Sequence, residues 1–275
     1  MTVKEKYLSK SSSGNPKGKA ANRIVFIDEI RGLTLILMVF YHACYLADSV
    51  FGLPRAHELL SALKPLQIFI GISFIFIAGI SCSFSHSNFK RGLRVTAIAL
   101  GLTAVTVFIL PLIGMENEQI YFGVLHLLGI CMLLYACFDA VFKEDKIKPP
   151  FLILFSILLL SCYILTLGIS DGYLGIAPFT LKLPEKLYCT NITAPLGFYT
   201  KSFHSADYYP ILPHGLLFFS GVFTGKLIKK INVANWASKS HIRPLAFLGR
   251  HTLIIYIVHQ PVLFVLIKLA IIILN

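Results

Sequence analysis

Two side chains in the first apolar stretch of this 275-residue sequence have the chemistry and spacing of a working pair: Arg31 and His42. They lie eleven positions apart. At about 100° per residue this is three helical turns plus roughly 20°, so both fall on one helix face, about 16 Å apart along the axis. Asp28 and Tyr45 fall near the same stripe. An ionisable group inside an apolar span is costly and marks function by default. Arg offers a planar fork suited to phosphate. Neutral imidazole is a usable base towards a hydroxyl or amine, or alternatively a nucleophile able to carry an acyl group. Asp48 is a candidate to orient an acceptor or raise the basicity of a histidine. Snorkelling explains Arg31 equally well, and a hydrogen-bonded bundle histidine explains His42.

Further histidines are expected at a similar depth. His126 and His214, with Tyr209 close by, are candidate substrate-binding groups in the outer half. Arg31 and Arg250 are expected at matching depth on the inner side, with Lys226 nearby, as a cationic mouth. His259 and Gln260 precede Pro261, which cannot donate to the helical ladder, and are read as structural. The six cysteines show no CxxC pair or ligand spacing, so no metal is expected.

The elements that must position these groups follow from composition. The chain is 56% hydrophobic and only 14% charged, against roughly 25% charged for a soluble domain. Seven continuous apolar runs, near 24–47, 66–84, 93–113, 121–140, 151–169, 211–230 and 247–273, each approach the roughly 20 residues a spanning helix needs. The expected fold is therefore all-α: a polytopic transmembrane bundle of about seven spans, forming one domain over 24–275. Residues 1–23 read as a disordered, basic tail and not as a cleavable signal. Most of the 25 Lys and Arg fall in that tail and in alternate loops. This predicts a cytoplasmic N-terminus, an extracytoplasmic C-terminus and residence in the cell membrane. The net charge of +12 is thus a topology signal and does not indicate a nucleic-acid partner. Residues 170–210 form a long extracytoplasmic loop, rich in aromatics, that is suited to capping a cavity.

Arg, ten residues, then His resembles the pattern of acyltransferase-3 type membrane enzymes. The text Ile27-Asp28-Glu29-Ile30-Arg31-Gly32-Leu33 through Met38-Val39-Phe40-Tyr41-His42 is more similar still to bacterial proteins of the heparan-α-glucosaminide N-acetyltransferase-like family. Three other stretches carry the same resemblance: Phe122–Gly129, Asp207–Pro213, and Leu248–Tyr256 running into His259-Gln260-Pro261. The resemblance covers about residues 24 to 267. It implies transfer of an acetyl or other acyl group from cytosolic acyl-CoA, acetyl-CoA first among donors, to an extracytoplasmic amino sugar, sugar hydroxyl or glycan. It also implies a catalytic histidine near the far side, here His42. The chain is short for the eukaryotic relatives, so no counterpart of their larger lumenal domain is expected. The expected partners are the lipid bilayer, the acyl-CoA and the acceptor, with a homodimer left open. A transporter or channel for a small polar solute is the alternative raised by the intramembrane histidines.

Overall fold

The computed structural model describes residues 24–115, 117–141, 147–231 and 235–274. The basic tail at 1–23 lies outside the described residues, as do Lys143 and Lys146. The bundle is built from α1 (Val25–Ser49), a short α2 (Pro54–Ala62), α3 (Lys64–Ser83), α4 (Asn88–Ala104), α5 (Val124–Val141), α6 (Pro149–Leu165), α7 (Ile211–Lys230), α8 (Arg243–Arg250) and α9 (Thr252–Leu274). Among the described residues six helical segments are long and apolar enough to cross a membrane, and Val124–Ala140 is a shorter apolar helix. The chain is thus a multi-pass membrane protein with a polytopic helical bundle.

Prolines in the first turn open α2, α3, α6 and α8, where a missing N–H costs nothing because no helical acceptor precedes it. Leu212, which precedes Pro213, is extended with ψ 122°, so the regular part of α7 begins one residue later. After α4 the helix continues as a π turn (Val105–Ile109) and a 3-10 turn (Leu110–Ile113). The change of winding falls at Pro111, which cannot donate to the ladder.

In lipid there is no hydrophobic drive between helices, so close backbone approach and buried hydrogen bonds must join them. A Cβ on Gly79 of α3 would sit 2.0 Å from the Phe218 carbonyl of α7, and one on Gly221 would sit 2.3 Å from the Phe76 carbonyl. Around that contact Ile75, Cys82, Leu127, Cys131, Leu217, Phe218 and Val222 form the main core. On the opposite flank of α7, Ser156 of α6 meets Thr224 Oγ1 at 2.8 Å, and Ser220 Oγ donates to the Ser156 carbonyl at 2.9 Å.

Three elements differ from the sequence expectation. The last apolar run, 247–273, divides at His251 into α8 and α9; α8 has arginine at both ends and is too short to span. Helix α2 has no buried residue, so no apolar run announces it. The long loop at 170–210 holds an antiparallel hairpin, β1 (Tyr173–Ile176) and β2 (Phe179–Lys182), with Tyr173 opposite Lys182 and Ile176 opposite Phe179. Four-residue strands lie below the length at which alternation can be read.

Candidate functional site

Helices α1 and α9 meet at successive levels in the same order, so they run side by side in one direction. At the first level Arg31 Nη1 donates to the carbonyl of Gly249, just ahead of α9, at 3.1 Å. At the second the His42 and His259 rings lie 4.9 Å apart. At the third Phe51, just past α1, meets Phe264 at 5.4 Å. Glycine makes the first level possible: a Cβ on Gly249 would stand 1.8 Å from the Asp28 carbonyl, and one on Gly32 would stand 2.1 Å from the Leu245 carbonyl.

At the Arg31 level the guanidinium is committed to protein. Nη1 also pairs with Asp28 Oδ1 at 3.0 Å, and Nη2 donates to Ser81 Oγ of α3. The Arg31 side chain is 18% exposed. Next to it, Glu29 Oε1 accepts from His241 N at 2.6 Å, Ile242 N at 2.7 Å and Ser240 Oγ at 3.0 Å. The two backbone N–H groups lie just ahead of α8, at its positive end, where a carboxylate is favoured. Two adjacent acids and one arginine of α1 therefore fasten α8 at both ends. Arg250 follows Gly249 directly, is exposed, and donates from Nε to the Ala246 carbonyl at 3.0 Å. Lys226 lies elsewhere, between α7 and α5, 3.7 Å from Asp139 Oδ1 and over the Tyr135 ring at 5.0 Å. Of the three expected cations, Arg31 thus bonds the carbonyl of the residue next to Arg250, and Lys226 is set apart on another helix pair.

At the His42 level the imidazole is ringed by polar aromatics. Tyr41 and Tyr45 present edges at 5.8 and 6.4 Å, and Gln260 Nε2 of α9 reaches His42 Nδ1 at 3.2 Å. Tyr45 donates to Glu118 Oε1 at 3.0 Å, which ties α1 to the segment before α5. His259 donates from Nδ1 to the Tyr256 carbonyl at 2.7 Å. The Tyr256 hydroxyl in turn donates to Asp207 Oδ2 at 2.8 Å. Asp207, in the long loop, also accepts from Val124 N at 3.1 Å and so caps α5 from outside it. Burial raises the Asp207 carboxyl above the usual carboxylate range, and these two donors hold against that rise.

The remaining candidates do not gather on His42. His126 accepts from Gly123 N at 3.1 Å through Nδ1 and pairs with Thr103 Oγ1 at 3.1 Å through Nε2. Both its nitrogens are therefore spent, Nδ1 on the backbone entering α5 and Nε2 on joining α5 to α4. His214 donates to the Pro210 carbonyl at 3.2 Å, and its ring lies 5.1 Å from Tyr209 and 6.1 Å from Tyr163. Tyr209 packs its hydroxyl against Gly71 of α3, where no Cβ would fit. His214 and Tyr209 are thus brought together, as a second aromatic group. Asp48 does meet a histidine, His57 Nδ1 of α2 at 3.2 Å, rather than the His42 ring. Six residues separate Asp48 from His42, which turns it about 120° off the His42 face.

Sequence reasoning placed His259 and Gln260 in a structural role and assigned none to Asp207. One signal was available. His259 follows Gly249 by ten residues while His42 follows Arg31 by eleven, so one contact at Arg31 brings the two histidines level.

A family described as heparan-alpha-glucosaminide N-acetyltransferase, catalytic, matches residues 23–261. No curated protein and no solved structure matches the chain. The match takes in every helix from α1 to the start of α9 and the first two of the three levels at which α1 meets α9, and the chain belongs to this family of transmembrane acetyltransferases.

Proposed function

We propose that this protein takes an acetyl or other acyl group from acyl-CoA on the cytoplasmic side and delivers it to an amino sugar or sugar hydroxyl on the other side of the bilayer. The observation that carries the reading is the pairing of α1 with the α8–α9 segment at two levels, Arg31 with Gly249 of α8 and His42 with His259 of α9. On α1 these levels are about 16 Å apart, a distance comparable with the pantetheine arm of CoA. A nucleotide held at the Arg31 end extends its thioester to His42.

The basic loops support a cytoplasmic assignment for the Arg31 end. Arg31 is the scaffold of that mouth, and exposed Arg250 beside it is the cation offered to the CoA phosphates, with Lys226 contributing charge from farther off. His42 works on the acyl group. Tyr209, His214 and His126 shape the region the acceptor approaches, and the long loop covers it. Asp48 holds α2 through His57 at the edge of that region.

The test is transfer of label from acetyl-CoA to a panel of amino sugars and sugar alcohols by the purified protein. His42→Ala lowers kcat at least ~100-fold in this account and leaves acetyl-CoA affinity within about twofold. Transfer by His42→Ala at the wild-type rate sinks the assignment. Arg250→Ala raises KM for acetyl-CoA about tenfold, the equivalent of one lost charge-assisted hydrogen bond, with kcat little changed.

A further inference from the structure

The proton positions at the His42 level follow from the partners already described. A backbone carbonyl only accepts, so His259 carries its proton on Nδ1, facing the Tyr256 oxygen at 2.7 Å. In the neutral ring its Nε2 is then a bare lone pair. That atom is buried without a hydrogen-bond partner among the described residues, in a residue only 7% exposed. A buried acceptor left unsatisfied costs about 1–3 kcal/mol and needs an explanation. The opposite arrangement holds across the gap. The Gln260 amide nitrogen only donates, so His42 Nδ1 accepts at 3.2 Å and His42 carries its proton on Nε2. Two imidazoles with centroids 4.9 Å apart thus offer opposite functions, one an N–H donor and the other a vacant base.

We propose that His42 and His259 divide the acyl transfer between them: His42 Nε2–H holds the thioester carbonyl oxygen, and His259 Nε2 takes the proton of the acceptor. Gln260 is the positioning residue that sets the His42 tautomer. This rests on the acyltransferase reading and reassigns the base within it. The acceptor hydroxyl or neutral amine forms its bond to the carbonyl carbon while its proton passes to His259 Nε2. The carbonyl electron pair moves onto oxygen, where the His42 N–H stabilises it, as donors aimed at a developing oxyanion do. Collapse breaks the carbon–sulfur bond, and that electron pair leaves on sulfur. The thiolate recovers the proton from His259, giving CoA thiol, the acylated acceptor and two neutral imidazoles. The adjacent residues of α9 thus serve different ends: His259 acts on the acceptor, and Gln260 acts through His42.

The experiment has two arms on purified full-length protein in detergent. In the first, 15N spectra of histidine-labelled protein are assigned with His42→Asn and His259→Asn. The expected result at neutral pH is the Nε2–H tautomer for His42 and the Nδ1–H tautomer for His259. The reverse tautomers, or a cationic His259, overturn the division. In the second, CoA thiol release from acetyl-CoA is followed with glucosamine as the probe acceptor. His259→Ala is expected to lose at least ~100-fold in kcat, keep its KM for acetyl-CoA, and recover part of its rate in added imidazole. Gln260→Glu, whose carboxylate would turn the His42 proton to Nδ1, is expected to lose kcat without gaining from imidazole. Wild-type kcat in His259→Ala overturns the proposal. If His259→Ala does not fold, the spectra of wild type and of His42→Asn decide it. Absence of thiol release from wild type with every sugar, alongside the expected tautomers, contradicts the acyltransferase reading and leaves the tautomer division standing.

Discussion

Arg31 has three kinds of partner at once: the Asp28 carboxylate, the Ser81 hydroxyl and the Gly249 carbonyl. Its removal takes the guanidinium away from the buried Asp28 carboxylate and from Ser81 and Gly249 together, which costs about 3 kcal/mol or more. Arg31→Ala is therefore expected to lower the denaturation midpoint in detergent as well as activity, and Arg31→Lys, which keeps the charge but loses the fork, is expected to recover only part of it. If Arg31→Ala weakens acetyl-CoA binding with unchanged stability, the guanidinium is a ligand group and not a fastening. Asp207→Ala removes the partner of both Tyr256 and the first N–H of α5, a loss of about 1–2 kcal/mol readable by chemical denaturation, whereas Asp207→Asn keeps an acceptor oxygen and most of the stability. At this scale the sequence was partly legible. Arg31, His42 and their shared face followed from the helical period alone. The His42 partners did not, because His259 and Gln260 are 217 and 218 positions away and helix phase between two apolar segments leaves no mark on composition. The Asp48 partner was hidden for the related reason that a helix end also faces whatever the next turn brings, here His57.

At the scale of elements the account depends on α8 seated against α1 by two glycines. Any Cβ at Gly249 or Gly32 meets backbone, not a side chain that can swing aside. Gly249→Val is expected to cost about 2–3 kcal/mol or more and to separate α9 from α1, so a cross-link between cysteines placed at Phe51 and Phe264, 5.4 Å apart between rings, forms less readily. Gly101→Ala serves as the control: a Cβ there meets nothing within 4 Å, and neither stability nor cross-linking is expected to fall. The long helices were legible because about 20 apolar residues in a row leave few alternatives in a bilayer. The short elements were not. The eight residues of α8 merge into the apolar run of α9 when read by hydropathy, α2 buries nothing, and the hairpin β1–β2 sits in a loop where only turn residues hint at it. The α1–α8 fastening that positions the site was therefore hidden in the segment with the weakest signal.

At the scale of the whole molecule the basic loops and the two-level pairing of α1 with α9 point the same way. In the proposed function the end bearing Arg31, Arg250, Lys229 and Lys230 is the one assigned to the donor, and the end bearing Tyr45, Glu118 and the long loop is the one assigned to the acceptor. Orientation is checked by an impermeant thiol reagent on a background lacking the native exposed cysteines: a cysteine at Lys239 is expected to react only from the cytoplasmic side, and one at Ile192, 87% exposed in the long loop, only from the other. The central claim is that the group crosses the bilayer, and sided proteoliposomes test it most directly. Protein is reconstituted with its Arg31 end outward, acetyl-labelled acetyl-CoA is added outside, and glucosamine is sealed inside. The account predicts labelled N-acetylglucosamine accumulating within the vesicles, abolished by His42→Ala, while CoA thiol appears outside. Labelled product formed only when glucosamine shares the outer compartment with acetyl-CoA would contradict it.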